Sequence, residues 1–364
     1  MSVGVAIVGC GTISHEYLRN LTTFPDVRVL VCADLDTERA KAVAGQYGVP
    51  TAGEPELALR HPDVELVVNL TIPAAHVEVS AAAIALGKHV YSEKPLALDP
   101  DSGARLLAAA AEAGVRVGAA PDTFLGAGLQ SAIRFIGQGG IGDPRTALTL
   151  LQGPGPQRWH PSPEFLFQQG AGPLFDLGPY YLTALAAVFG PVTRVAATAG
   201  QAFGTRVIGS GPRAGTEFAV EVPTHVSCLM EYRGGQSATS IFSFDSPLSR
   251  QGFLEITGTE ATLSVPDPNR FDGPLSLRRA GDDDWTPVET RGASVGRGMG
   301  VLDLARAIRT GTPHRADAAA ALHVVEVMAA VAQSAERGEF VTVHGEFPTP
   351  APLPEDWDPR ERTL

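Results

Sequence analysis

The chain carries three groups of residues whose types and spacing suit chemistry. Gly9-Cys10-Gly11-Thr12-Ile13-Ser14 follows the apolar run Val3–Val8 and opens a helical stretch. Gly9 permits the tight turn. Gly11, lacking Cβ, lets the backbone approach an anion held by the free N–H groups and positive dipole end of the helix. The anion that suits this context is the pyrophosphate of a dinucleotide, with Gly9, Gly11, Thr12 and Ile13 around it and Ser14 as a small stand-in for a third glycine. The alternative is an ordinary glycine-rich turn. Asp34 ends the second apolar run about twenty residues after Ser14, where a carboxylate accepts from ribose hydroxyls and repels a 2′-phosphate. This favours NAD over NADP, although Arg39 lies near enough to serve a phosphate and Asp34 has the alternative role of capping the next helix.

The second group is Ser92-Glu93-Lys94-Pro95, which follows the run Lys88–Tyr91. It places Lys94 at the C-terminal end of a strand, where open α/β sheets bind ligands. The third is Asp176 and Tyr180, four apart at the start of an expected helix and therefore on one face. Removing a hydride from a carbinol carbon leaves a hydroxyl proton to be taken up and a developing charge on oxygen to be met by a donor. Lysine, aspartate and tyrosine supply such groups; a phenol with an ordinary pKa of about 10 is brought down by a neighbouring ammonium. The competing readings are a surface lysine, a helix-capping Asp176 and a core Tyr180, with Tyr181 equally available.

These residues need a scaffold. Up to about residue 120 the runs Val3–Val8, Val27–Ala33, Val64–Leu70, Lys88–Tyr91 and Val115–Gly118 alternate with alanine-rich helices near 12–22, 36–46, 74–86 and 100–113. Asp36 and Asp99 are placed to cap the second and fourth helices, with Pro100 at a first helical position. The rhythm predicts a doubly wound parallel sheet, a Rossmann domain over residues 1–121. Residues 122–347 read as an α+β domain. It has helices near 129–136, 176–189, 298–310 and 316–337, a Gly/Pro/Gln-rich loop at 152–173, and hairpins at 226–244 and 253–265. A further strand pair falls at 275–279 and 286–290. The sheet is expected to be open and mainly antiparallel, with a peripheral tail at 348–364.

The 28 basic and 40 acidic residues give a net charge of -12, which disfavours nucleic acid and anionic membranes as partners. Cys10, Cys32 and Cys228 lie in apolar runs without metal or redox spacing, as reduced core cysteines of a cytoplasmic protein do. No apolar stretch reads as membrane-spanning, no basic leader precedes the first strand, and no His/Asp/Glu cluster has metal spacing.

Residues 87–97, Gly-Lys-His-Val-Tyr-Ser-Glu-Lys-Pro-Leu-Ala, resemble the Glu-Lys-Pro signature of the Gfo/Idh/MocA oxidoreductases (glucose-fructose oxidoreductase, inositol dehydrogenase and rhizopine catabolism). The glycine loop, Thr71-Ile72-Pro73-Ala74-Ala75-His76 and Gly170–Tyr180 extend the resemblance over nearly the whole chain. It implies that Lys94 contacts the substrate hydroxyl and the cofactor, with Glu93 and Pro95 in support and the proline often cis. Asp176 and Tyr180 then complete the active site. Most of the family has histidine at the second position, and tyrosine marks the glucose-fructose oxidoreductase branch. The resemblance also places the turn of Thr71, Pro73 and His76 along the cofactor's ribose and pyrophosphate. Asn69 either faces the cofactor or satisfies backbone. Trp159 and His160, with Gln168 and Gln169, offer a polar and aromatic lining suited to sugars, or pack on the surface; Asp122 is a further substrate-side candidate. The implied activity is NAD(P)-dependent hydride exchange with a secondary alcohol or ketone of a sugar, sugar derivative or cyclitol, in a homodimer or homotetramer built through the open sheet faces. A redox-neutral sugar conversion with transiently reduced NAD and a non-catalytic dinucleotide sensor are the alternatives.

Overall fold

The β-branched runs of the first 120 residues form the six strands of a parallel sheet in the computed structural model, which describes residues 1–364. They are β1 (Val3–Val8), β2 (Val27–Ala33), β3 (Thr51–Gly53), β4 (Leu66–Asn69), β5 (His89–Ser92) and β6 (Val117–Ala119), in the order β3-β2-β1-β4-β5-β6. Every residue of β1 and β4 is buried, as helices on both faces of a parallel sheet require. The connecting helices are α1 (Thr12–Leu21), α2 (Thr37–Tyr47), α3 (Pro55–Arg60), α4 (His76–Ala85) and α5 (Pro100–Ala113). Both expected caps form: Asp36 accepts from the Arg39 N–H at 3.2 Å and Asp99 from the Ser102 N–H at 2.8 Å, with Pro100 opening α5. The short β3 and α3 escaped the sequence reading because three and six residues hold too little of either hydrophobic period.

The remaining helices are α6 (Ala127–Gly137), α7 (Gly172–Phe189), α8 (Met299–Thr310) and α9 (Ala318–Arg337). The later strands are β7 (Pro144–Gln152), β8 (Val192–Gly200), β9 (Thr205–Val207), β10 (Glu217–Ala219), β11 (His225–Tyr232), β12 (Ser237–Ser243), β13 (Arg250–Gly258), β14 (Ala261–Val265), β15 (Leu275–Arg279), β16 (Thr286–Val288) and β17 (Val341–Thr342). Nine of them form one sheet, β16-β15-β14-β13-β7-β12-β11-β8-β17, antiparallel except where β7 runs parallel to β12. The expected hairpins form, that between β11 and β12 turning at Gly235 with φ +85°. β7 and β8 were not expected from the sequence, and β7 proves central. Its buried Thr149 donates to Ser240 Oγ at 2.7 Å, which satisfies a hydroxyl inside the sheet. Helix α7 packs on β7, β11 and β12.

The chain divides into two compact units that interleave along the sequence. The first comprises Met1–Gln130, Arg291–Val325 and Pro350–Leu364, the second Ser131–Thr290 and Glu326–Thr349. This differs from a single division at 121/122, because α8 returns to pack on β5 and β6. The tail, expected to be peripheral, is tied down. Its Thr363 and Leu364 N–H groups donate to the buried Asp26 at 3.0 and 3.1 Å, as does Arg306 Nε at 2.9 Å, and Arg306 stacks over Trp357. Helix α9 also corrects an expectation, being long and apolar enough by composition to cross a membrane. Half of its apolar window is buried within the fold, and an alanine-rich helix covered by core on more than one side reads this way.

Candidate functional site

The glycine loop sits where β1 turns into α1. Gly9 has φ +98°, and a Cβ there would lie 2.6 Å from the Leu70 carbonyl, so both the conformation and the neighbouring strand exclude a side chain. Gly11 caps α1, and a Cβ on it would meet nothing within 4 Å, which leaves the space over the helix N-terminus open. Asp34 is held from both sides: Cys10 N–H donates to one oxygen at 2.7 Å and Asp36 N–H to the other at 2.9 Å. Arg39 Nη1 stands 3.7 Å from Asp34 while also binding Asp36. Capping of α2 falls to Asp36, which frees Asp34 for the ribose role. Open space over unpaired helix-start donors and an oriented carboxylate at the end of β2 fit the pyrophosphate and ribose of NAD.

A buried layer supports these loops. Asn69 is fully buried; its amide donates to the His76 carbonyl at 2.9 Å and Ser80 Oγ at 3.0 Å, and its oxygen accepts from Thr71 Oγ1 at 2.7 Å. The His76 ring is 1% exposed and lies between two backbone carbonyls, Pro95 at 2.6 Å from Nδ1 and Thr71 at 3.1 Å from Nε2. Asn69 and His76 therefore shape the Thr71 turn rather than face a ligand, while Thr71 is half-buried and Pro73 exposed above them. Across the sheet, Glu93 is buried. One of its oxygens accepts from Tyr17 Oη at 2.8 Å and the other from the Lys94 N–H at 2.9 Å. Burial first, and then the Glu93 carboxylate, push the Tyr17 phenol well above its ordinary value, so it stays protonated and donates. Lys94 is half-buried and the Lys94–Pro95 peptide is cis.

Asp122 is a correction. It is 0% exposed and accepts from the Gly298 and Gly300 N–H groups at 2.8 and 3.1 Å, anchoring the start of α8, with Arg297 Nη1 at 3.8 Å. Burial raises its pKa, against the pull of Arg297. Both amides bind Oδ2, and full burial closes the carboxylate to a substrate.

In the second unit, α7 begins at Gly172, so Asp176 lies inside the helix and the capping reading lapses. Asp176 lines a cavity of about 550 Å³ together with Arg158, Trp159, Tyr181, Gln251, Asp267 and Asn269, over a floor that includes Leu166 and Phe244. The Tyr181 hydroxyl accepts from the Gly252 N–H at 2.8 Å. Tyr180 is 6% exposed and is not part of the cavity wall. His160 also stands outside it, meeting Trp159 and Phe165 edge to face at ring separations of 5.6 and 5.4 Å. Gln168 and Gln169 are exposed elsewhere.

Sequence reasoning missed Tyr17, since a helical tyrosine carries no motif, and missed Asp267 and Asn269, which reach the cavity only through the sheet. All but three of the 28 basic residues are arginine, the exceptions being Lys41, Lys88 and Lys94.

Residues 3–120 match the profile described as "Oxidoreductase family, NAD-binding Rossmann fold", and residues 129–264 the GFO/IDH/MocA C-terminal domain. Over 94% of the chain and 99% of the relative, the sequence is 26% identical to the uncharacterized oxidoreductase ORF334 of Rhizobium meliloti. It is 31% identical to inositol 2-dehydrogenase 3 of Saccharopolyspora erythraea, but over only 44% of this chain and 48% of that one. The solved structure of an NAD-binding oxidoreductase from Klebsiella pneumoniae superposes with a TM-score of 0.80 at 25% identity, over 95% of this chain and 100% of that one. A levoglucosan dehydrogenase in complex with NADH and levoglucosan shares the fold, with a TM-score of 0.80 at 20% identity over 94% and 100%. Glycine loop, Asp34 and Glu-Lys-Pro turn stand on the fold these proteins share, and the chain belongs to the Gfo/Idh/MocA family of oxidoreductases, with an NAD-binding Rossmann domain.

Proposed function

We propose that the substrate is an uncharged polyol, a sugar, sugar derivative or cyclitol, oxidised at one secondary alcohol or formed from the corresponding ketone. The observation that carries this reading is the lining of the 550 Å³ cavity. Carboxylates, amides and a guanidinium stand there beside Trp159, a set of polar groups that the hydroxyls of a polyol would engage. Two carboxylates, Asp176 and Asp267, against one guanidinium, Arg158, disfavour a phosphorylated substrate. The names of relatives point the same way, since they include inositol 2-dehydrogenases and a levoglucosan dehydrogenase.

NAD, when bound, exchanges the hydride with the carbinol carbon. In our reading Lys94 takes the hydroxyl proton and stabilises the oxygen as charge develops on it, and Asp176 accepts from substrate hydroxyls, while Tyr180, buried outside the cavity wall, is given no proton-carrying part. Asp34 selects NAD over NADP by repelling the 2′-phosphate. The chain self-associates through the uncovered face of the nine-stranded sheet. There Leu148 and Leu229 are 38% and 37% exposed, in register with Thr239, beside half-buried Leu150, Ile241 and Phe253.

Nicotinamide absorbance, followed with NAD and NADP separately against neutral sugars, inositols and sugar phosphates, tests the reading. Reduction with neutral polyols and NAD is expected. Preference for sugar phosphates, or product release without net nicotinamide reduction, would overturn it.

A further inference from the structure

We propose that Tyr17 is a positioning residue for Lys94, acting through Glu93. The inference rests on the reading of Lys94 as the proton-carrying residue. Tyr17 lies one and a half turns into α1, the helix whose N-terminus forms the dinucleotide cradle, and its side chain is 0% exposed. Its hydroxyl reaches Glu93 at 2.8 Å, and the other Glu93 oxygen takes the Lys94 N–H at 2.9 Å. The carboxylate is thus a rigid bridge from the cofactor helix to the turn after β5. Tyr91 lies beside Tyr17 with ring centroids 6.3 Å apart and planes tilted by 60°, and both rings are fully buried. Without the hydroxyl, Glu93 keeps its bond to the lysine amide but loses the anchor that fixes its own rotamer. The turn that presents Lys94 then opens more often, while α1 and the glycine loop keep their backbone bonds.

The composition makes this directly measurable, because Lys41, Lys88 and Lys94 are the only lysines. Trace acetylation with acetic anhydride, read by peptide mass spectrometry, compares the three amines within one sample and needs neither substrate nor turnover. A wrong assignment of Lys94 chemistry therefore leaves the test readable. Lys41 is on the surface beside Glu38, and Lys88 is held by the His61 and Val64 carbonyls, so both serve as internal references. In Tyr17→Phe the acetylation of Lys94 should rise about five-fold relative to the other two, the factor that corresponds to one net hydrogen bond of about 1 kcal/mol. Glu93→Leu, which removes both bonds, should do the same. Glu93→Gln should leave Lys94 protected, since its amide can accept from the Lys94 N–H and donate to the Tyr17 oxygen. Unchanged Lys94 labelling in both Tyr17→Phe and Glu93→Leu would overturn the proposal. So would a parallel rise at all three lysines, which signals general loosening, or a Glu93→Gln response as large as that of Glu93→Leu.

Discussion

The cradle at the end of the six-stranded sheet and the cavity on the nine-stranded sheet are built by different means. The cradle is made largely of backbone. Gly9 and Gly11 contribute by lacking side chains, and the Cys10 and Asp36 N–H groups orient the Asp34 carboxylate. In the proposed reading its parts come from the ends of β1, β2, β4 and β5, with Asn69 and His76 as supports beneath the turn after β4. The cavity is made of side chains gathered from 151–159, 166, 176–181, 243–251 and 267–269. A backbone site accepts few substitutions and suits one constant ligand. A side-chain cavity can change its ligand by changing its lining and leave the sheet intact.

Four experiments would break or sharpen that contrast, and a fifth tests the tail. The largest effect is expected for Lys94→Met, which should lower turnover about 10³-fold with the best polyol of the panel while NADH fluorescence titration stays near wild type. Loss of NADH binding instead would place the lysine in the cradle's affinity and not in its chemistry. Next, Gly11→Leu should weaken NADH about 100-fold with little change in melting temperature, because a side chain there fills open space. Gly9→Ala, by contrast, should cost about 1–3 kcal/mol of stability in denaturant melts, since it forces an L-residue into positive φ against Leu70. Asp176→Asn should cut kcat/KM roughly 10- to 100-fold and spare NADH affinity, keeping the two regions separable.

The smallest effect concerns the tail latch. Burial acts to raise the Asp26 carboxyl, but hydrogen bonds from Thr363, Arg306 and Leu364 outweigh it and hold its pKa below the ordinary value near 4. A carboxyl lowered in the folded state adds stability that is present above the unfolded value and lost as pH falls through the folded one. Asp26→Asn should therefore melt a few degrees lower at pH 7 and lose less of its melting temperature than wild type on acidification from pH 5 to 3. Parallel wild-type and variant curves would remove Asp26 from the acid limb.

Much of the first unit was legible because its signals are local. A buried parallel strand is a run of β-branched residues, a cap precedes its helix, and a glycine loop is contiguous in the chain. The second unit was harder. Strand β7, with its alternating leucines and threonines, reads as nothing until β12 and β13 flank it. Asp122 stood as a substrate-side candidate beside the family resemblance, and only the return of α8 made it a buried anchor. His76 and Asn69 followed the same course, their polar atoms claimed by carbonyls and hydroxyls that no spacing announces.

The sequence by itself therefore determined the parallel sheet, the glycine loop with its acidic partner, and the lysine turn, because backbone geometry and strand order dictate them within short segments. Tertiary structure alone decided which polar residues were consumed as internal supports, which ones line the cavity, and that Tyr17 and Glu93 meet 76 residues apart. Hydrogen bonds between distant segments depend on where the sheet brings the chain back, and no local pattern encodes that return.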